Sequence, residues 1–125
     1  MTRILVIEDE DMVRMTIKQI LEKAGHEVDV ASNGKHGLER QEANPADIVV
    51  TDIIMPEMDG VETTIELRSR FPQTKIIAIS GGGRVHNLSF LEHAQQMGAD
   101  VILPKPFTRD ELLGAIAMTF EEAEV

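Results

Sequence analysis

Glu8, Asp9, Asp52 and Lys105 each stand where a short apolar run gives way to polar chain. Ile4-Leu5-Val6-Ile7 runs into Glu8-Asp9, Ile48-Val49-Val50-Thr51 into Asp52, and Val101-Ile102-Leu103 into Pro104-Lys105-Pro106. Three carboxylates and one ammonium at the ends of buried strands are the groups a magnesium-dependent phosphoryl acceptor needs. Crowded carboxylates repel one another and raise at least one pKa unless a cation compensates. Magnesium is a hard ion that prefers oxygen ligands in octahedral geometry and keeps several waters. Lys105 adds a point charge suited to a phosphate oxygen. Asp52 can then act as the nucleophile and form an acyl phosphate, a transfer that rests on alignment and charge neutralisation. Ser80, closing a fourth apolar run, offers a hydroxyl to a phosphoryl oxygen. Gly81-Gly82-Gly83 after it let the backbone approach closely and move.

Each residue also has a plain reading. Glu8 and Asp9 alone would serve to stabilise a helix N-terminus. Lys105 alone would be a surface lysine, and Asp52 alone would begin a turn. Their conjunction on one rim is what points to a site.

That rim depends on the elements behind it. Short runs rich in Val and Ile predict strands over residues 3–7, 27–31, 47–51, 75–79 and 100–103. Amphipathic stretches lie between them. Val13, Ile17, Ile20, Leu21 and Ala24 fall at helical spacing, with Gly25 as C-cap. A second helix is predicted from about 34 to 43 around Leu38. Val61, Ile65 and Leu67 mark a third, stopped before Pro72. Leu88, Leu91, Ala94 and Met97 mark a fourth, closed by Gly98. Thr108-Arg109-Asp110-Glu111 is a capping box that opens a last helix, with Leu112, Leu113, Ile116 and Phe120 as its buried face. Five βα units in a row predict an α/β fold, a doubly wound parallel sheet covered on both sides. Right-handed crossovers and a reversal of strand order place a crevice outside the strands' C-terminal ends.

Composition bounds the reading further. The 125 residues suit a single domain over 1–125 with a proper core; 42% are hydrophobic and 27% charged. A net charge of −10, with Lys and Arg scattered, argues against nucleic acid or an anionic membrane as partner. The absence of cysteine removes disulfides, zinc–thiolate sites and a cysteine nucleophile, and suits the cytoplasm. The N-terminus carries acidic residues too early for a signal peptide or membrane span.

The chain resembles the receiver domain of two-component response regulators over essentially its whole length. The resemblance rests on Ile4-Leu5-Val6-Ile7-Glu8-Asp9-Glu10, the run from Thr51 and Asp52 to Asp59-Gly60, Ile77-Ala78-Ile79-Ser80-Gly81 and Leu103-Pro104-Lys105-Pro106-Phe107. It implies a flavodoxin-like (βα)5 fold with strand order 2-1-3-4-5. It implies that Asp52 takes a phosphoryl group from a sensor histidine kinase or a histidine phosphotransfer protein. Glu8 and Asp9 would form the acidic pair, and Asp9, Asp52 and the Ile54 carbonyl would hold Mg2+. Ser80 and Lys105 would contact the phosphoryl group. It further implies a cis Lys105–Pro106 bond that aims Lys105 into the site.

Three departures from the family's pattern matter. The acidic pair is Glu-Asp rather than the commoner Asp-Asp, which leaves Glu8 to reach the metal through water. Ile102 stands where many members place a switching Tyr or Phe, so the usual aromatic readout is in question. Gly81 to Val85 lengthen the stretch between Ser80 and Lys105, which points to a local rearrangement with the fourth predicted helix shifting. Ile54, near the path of an attacking water, predicts slow self-dephosphorylation.

Other chemistries fit less well. The three glycines are followed by no Gly-Lys-Ser/Thr and come after the fourth strand, against a nucleotide-binding loop. A haloacid-dehalogenase-like phosphatase needs a second acid two residues beyond its nucleophile, where Ile54 stands. His86 and His93 read as solvated surface residues. Met12 and Met15 read as core or edge packing on the first helix, with a phosphodonor docking border as the alternative. Phe90 and Leu91 are output-face candidates whose simpler fate is burial. The resulting expectation is a phosphorylation-controlled switch that catalyses only its own phosphorylation and dephosphorylation and is no metabolic enzyme. Its output is contact with a downstream protein target, with a homodimer among the assemblies expected. The alternatives are a segment of a larger regulator or hybrid kinase and a pseudo-receiver that is never phosphorylated; Met1 and the lack of a linker favour the free-standing chain.

Overall fold

Ile4 and Val6 of the first strand pack to one side of the sheet, Leu5 and Ile7 to the other, and all four are buried. Such two-sided burial is why β1 and the other inner strands read as continuous apolar runs rather than alternating ones. The computed structural model describes residues 2–52, 60–80 and 98–124, with the side chains of residues 60, 61, 80 and 121–124 left aside. Its elements are β1 (Arg3–Ile7), α1 (Asp11–Lys23), β2 (Glu27–Ala31), α2 (Gly34–Ala43), β3 (Ile48–Asp52), α3 (Gly60–Arg70), β4 (Lys75–Ser80), β5 (Val101–Pro104) and α4 (Arg109–Glu124).

The five strands form one parallel sheet in the order β2-β1-β3-β4-β5. Ile17 and Leu21 of α1 and Leu112, Ala115 and Ile116 of α4 cover Ile4, Val6, Val50, Ile77 and Leu103 on one face. Leu38 of α2 and Leu67 of α3 cover Leu5, Ile7, Val49 and Ala78 on the other. Each large aliphatic side chain removed from water in this way contributes about 1.5–3 kcal/mol. The predicted strands lie within one residue of those observed, and helices 34–43 and 60–70 stand where the spacing places them. The fourth predicted helix, with Phe90, Leu91, His86, His93 and the three glycines, lies outside the described residues. No helix among the described residues is long and apolar enough to cross a membrane.

Helix ends follow their local chemistry. Thr108 Oγ1 accepts from the Glu111 N–H at 3.0 Å, and Glu111 Oε1 accepts from the Thr108 N–H at 2.9 Å, completing the capping box. Gly25 takes the left-handed conformation, φ +97°, that ends α1.

Several predicted core positions face water instead. Leu67 and Ile65 are two residues apart, roughly 200° around a helix, so they cannot share a face. Leu67 is buried with Thr63 and Thr64, and Ile65 is exposed. In α4 the buried stripe of Leu112 and Ile116 continues to Thr119, and Phe120, roughly 80° off Leu112, is exposed. Ala24 lies past the last turn of α1 and is exposed. Met12 and Met15 lie opposite Ile17 on α1 and are 81% and 58% exposed, so they pack neither core nor edge.

Candidate functional site

Parallel register brings the carboxyl ends of the strands to one rim. Ile7 of β1 stands beside Thr51 of β3, Asp52 beside Ile79 of β4, and Ser80 beside Pro104 of β5. Glu8 follows β1 directly, and its N–H donates to the Ala31 carbonyl of β2 at 3.0 Å. The centre of the sheet therefore delivers Glu8, Asp9 and Asp52 to one place, and the turn after β5 delivers Lys105. The Lys105–Pro106 peptide bond is cis, as expected.

The four charged groups meet. One oxygen from each of Glu8, Asp9 and Asp52 lies within 4.8 Å of the others. Lys105 Nζ donates to Glu8 Oε1 at 2.8 Å and to Asp52 Oδ2 at 3.1 Å. Glu8 and Asp52 are buried, at 1% and 5% exposure, and Asp9 is half-buried. Glu8 Oε2 accepts from the Glu10 N–H at 3.0 Å, so both of its oxygens are engaged. Neither Glu8 nor Asp9 caps α1: Glu10 is the N-cap and makes no side-chain cap bond. Glu8 instead meets the N–H of that N-cap with one oxygen while Lys105 holds the other.

Burial pushes the Glu8 carboxyl up to about 7, and the negative charge of Asp52 adds to the rise. The Lys105 hydrogen bond and charge and the Glu10 N–H oppose it without cancelling it. Burial alone would lower the pKa of Lys105, but hydrogen bonding to Glu8 and the charges of Asp52 and Glu8 together raise it. Lys105 is thus held protonated, and it offsets only one of the three carboxylates. A dense set of carboxylate oxygens with surplus negative charge suits a hard divalent cation. The residues fit such an ion.

Of the predicted site residues, Glu8, Asp9, Asp52 and Lys105 are brought together. Ser80 closes β4 on the same rim. Its side chain, and the whole of Ile54, lie outside the described residues. Ile102 is half-buried against the cluster on the α2–α3 face of the sheet. Two contacts have no counterpart in the sequence reading. Arg14 Nη1 donates to the Glu8 carbonyl at 2.9 Å, and Thr51 Oγ1 donates to the Asp52 carbonyl at 3.1 Å. The one available signal for Arg14 was its position one turn into the helix that follows the acidic pair.

Comparison with known proteins agrees with this geometry. The sequence model of the response regulator receiver domain matches residues 4–117. The chemotaxis protein CheY of Bacillus subtilis (strain 168) is 40% identical over 118 residues, covering 94% of this chain and 96% of that protein. The sensor kinase CckA of Brucella abortus (strain 2308) is 36% identical over 97% of this chain, which spans 13% of that protein. The crystal structure of a CheY-like receiver domain protein from Methanospirillum hungatei JF-1 superposes with a TM-score of 0.91 at 30% identity. It covers 99% of this chain and 97% of that one.

Proposed function

This chain belongs to the response regulator receiver family, and from that premise we propose that it is a phosphorylation-controlled signalling switch with Asp52 as its phosphoryl acceptor. The observation that carries the reading is Lys105 Nζ placed on both Glu8 and Asp52, beside a third carboxylate. Receiver domains work with histidine kinases and downstream targets; here the donor is a phosphohistidine on a sensor kinase or phosphotransfer protein, and the output is an altered protein-binding surface.

In the proposed step an Asp52 carboxylate oxygen attacks phosphorus in line with the leaving group. The new O–P bond forms as the P–N bond of the phosphohistidine breaks, and the imidazole nitrogen keeps the electron pair and takes up a proton. Lys105, held protonated, is placed to neutralise a phosphoryl oxygen once its hold on Asp52 is released. Ser80, by its position at the end of β4, is assigned to a second oxygen. Asp9 and Asp52 would hold Mg2+ together with the Ile54 carbonyl, and Glu8 would serve it through water. When bound, the ion supplies charge neutralisation at the phosphoryl oxygens. Glu8 keeps Lys105 in place from the buried side. The chain turns over no metabolite in this reading, acts in the cytoplasm and needs neither nucleic acid nor membrane.

The match to part of a sensor kinase supports a second assignment for the same chemistry, as a receiver segment of a larger protein. Incubation with a phosphohistidine donor carrying labelled phosphate tests the common core of both. Label should move to this chain and not to the Asp52→Asn variant; equal labelling of both would refute the assignment.

A further inference from the structure

Glu8 is tied down at four points, and one tie comes from outside the acidic centre. Its N–H donates to Ala31, its Oε2 accepts from Glu10 and its Oε1 from Lys105. The fourth is Arg14, whose Nη1 donates to the Glu8 carbonyl at 2.9 Å while Nη2 engages Asp11 Oδ1 at 2.5 Å. Arg14 is half-buried, its side chain 18% exposed. It also lines a cleft with Ser32, His36 and Arg40.

We propose that Arg14 is a positioning residue for the cation site: by fixing the Glu8 carbonyl it sets the turn from which Glu8 and Asp9 present their carboxylates. The proposal rests on the reading of Glu8, Asp9 and Asp52 as a magnesium site. The physical argument is one of leverage. The peptide unit linking Glu8 to Asp9 lies between the two side chains, and Arg14 donates to its carbonyl. The guanidinium forks between that carbonyl and Asp11, so helix α1 and the acidic turn are locked in one arrangement. Without the Arg14 bond to the Glu8 carbonyl, the peptide can rotate about its flanking bonds, and each rotation moves the Glu8 and Asp9 oxygens relative to Asp52. Supporting groups one step removed from a metal typically hold about 10–100-fold of its affinity.

Calorimetric titration with Mg2+ alone tests the role on the full chain, at a temperature where circular dichroism shows every variant folded. Arg14→Gln should weaken binding about tenfold or more. Arg14→Lys, whose flexible ammonium can reach the carbonyl without the guanidinium's fixed geometry, should fall between Gln and wild type. Asp11→Asn, which weakens only the other arm of the fork by removing its charge, should bind Mg2+ within about twofold of wild type. A second readout needs no metal. Hydrogen exchange of the Glu10 amide, which reports its bond to Glu8 Oε2, should quicken about tenfold in Arg14→Gln and stay near wild type in Asp11→Asn. Arg14→Gln with wild-type affinity, or with no more effect than Asp11→Asn in both measurements, would overturn the proposal. Should wild type bind no Mg2+, the magnesium reading fails together with the affinity prediction, and unchanged Glu10 exchange would show that the positional role fails on its own account. If Arg14→Gln does not fold, Arg14→Lys against Asp11→Asn decides.

Discussion

Lys105 Nζ and Glu8 Oε1, from residues 97 apart in the chain, lie 2.8 Å apart beneath the rim of the sheet. The same ammonium reaches Asp52 Oδ2 at 3.1 Å, so one cation holds two buried carboxylates. Removing one partner of a buried pair leaves an uncompensated charge, whatever the net worth of the pair itself. Lys105→Met should therefore lower the rate of phosphoryl uptake at Asp52 by about tenfold or more, since the developing phosphoryl charge loses its fixed donor. Phosphorylation time courses on the two proteins check this; equal rates would remove Lys105 from the chemistry.

Glu8 makes a pH prediction. Its carboxyl titrates near 4.5 in an unfolded chain and at about 7 in the folded one. A group whose pKa rises on folding favours the folded state while protonated. Its contribution is fully present below 4.5 and is lost as pH climbs through 7. In chelator, the stability of wild type relative to Glu8→Gln should fall by about 3 kcal/mol between pH 4 and pH 8. Urea unfolding of both proteins at the two pH values measures it. Parallel pH profiles would show that Glu8 carries no raised pKa.

A divalent ion should act in the opposite sense, because it favours ionised carboxylates. Mg2+ at ten times its dissociation constant should stabilise the wild type by about 1.4 kcal/mol at pH 8. Asp9→Asn and Asp52→Asn should each lose most of that increment. Thermal unfolding with and without Mg2+ compares them; equal shifts in all three would place the ion elsewhere.

The link between α3 and β5 makes a prediction remote from the chemistry. Gly98 has φ +124°, and a Cβ built there would lie 2.9 Å from Arg68 Cβ and Cγ. Arg68 itself donates to the Gly98 carbonyl at 2.7 Å and pairs with Asp100 at 2.6 Å. Gly98→Ala meets both backbone strain and a side chain held by those bonds. It should cost about 2 kcal/mol of stability. A denaturation midpoint unchanged from wild type would show that Arg68 yields freely.

How much of this the residues announce depends on how local the cause is. The strand ends (to within a residue), the Thr108–Glu111 box and the Gly25 cap follow from neighbours a few positions apart. The meeting of Glu8, Asp9 and Asp52 required only that parallel strands end on one rim. The pairing of Lys105 with Glu8 is different: family resemblance assigns Lys105 to the phosphoryl group, and its bond to the buried acid is set by packing across the sheet. Helical spacing in α3 and α4 identified helices but misplaced Ile65 and Phe120, because three or four apolar residues leave the buried direction loosely determined. Thr63, Thr64 and Thr119 occupy that direction instead, and polar residues give periodicity no signal. Met12 and Met15 were misread although Val13, Ile17, Ile20 and Leu21 mark the buried direction of α1, because they fall outside that stripe. Met12, though exposed, borders a groove with the Lys105–Phe107 turn.

The most direct test of the central claim is intact-mass analysis after incubation with acetyl phosphate, with and without Mg2+, on wild type and Asp52→Asn. A single phosphoryl adduct should form on the wild type, require Mg2+ and be absent from the variant. An adduct of equal yield on Asp52→Asn, or one indifferent to Mg2+, would contradict it.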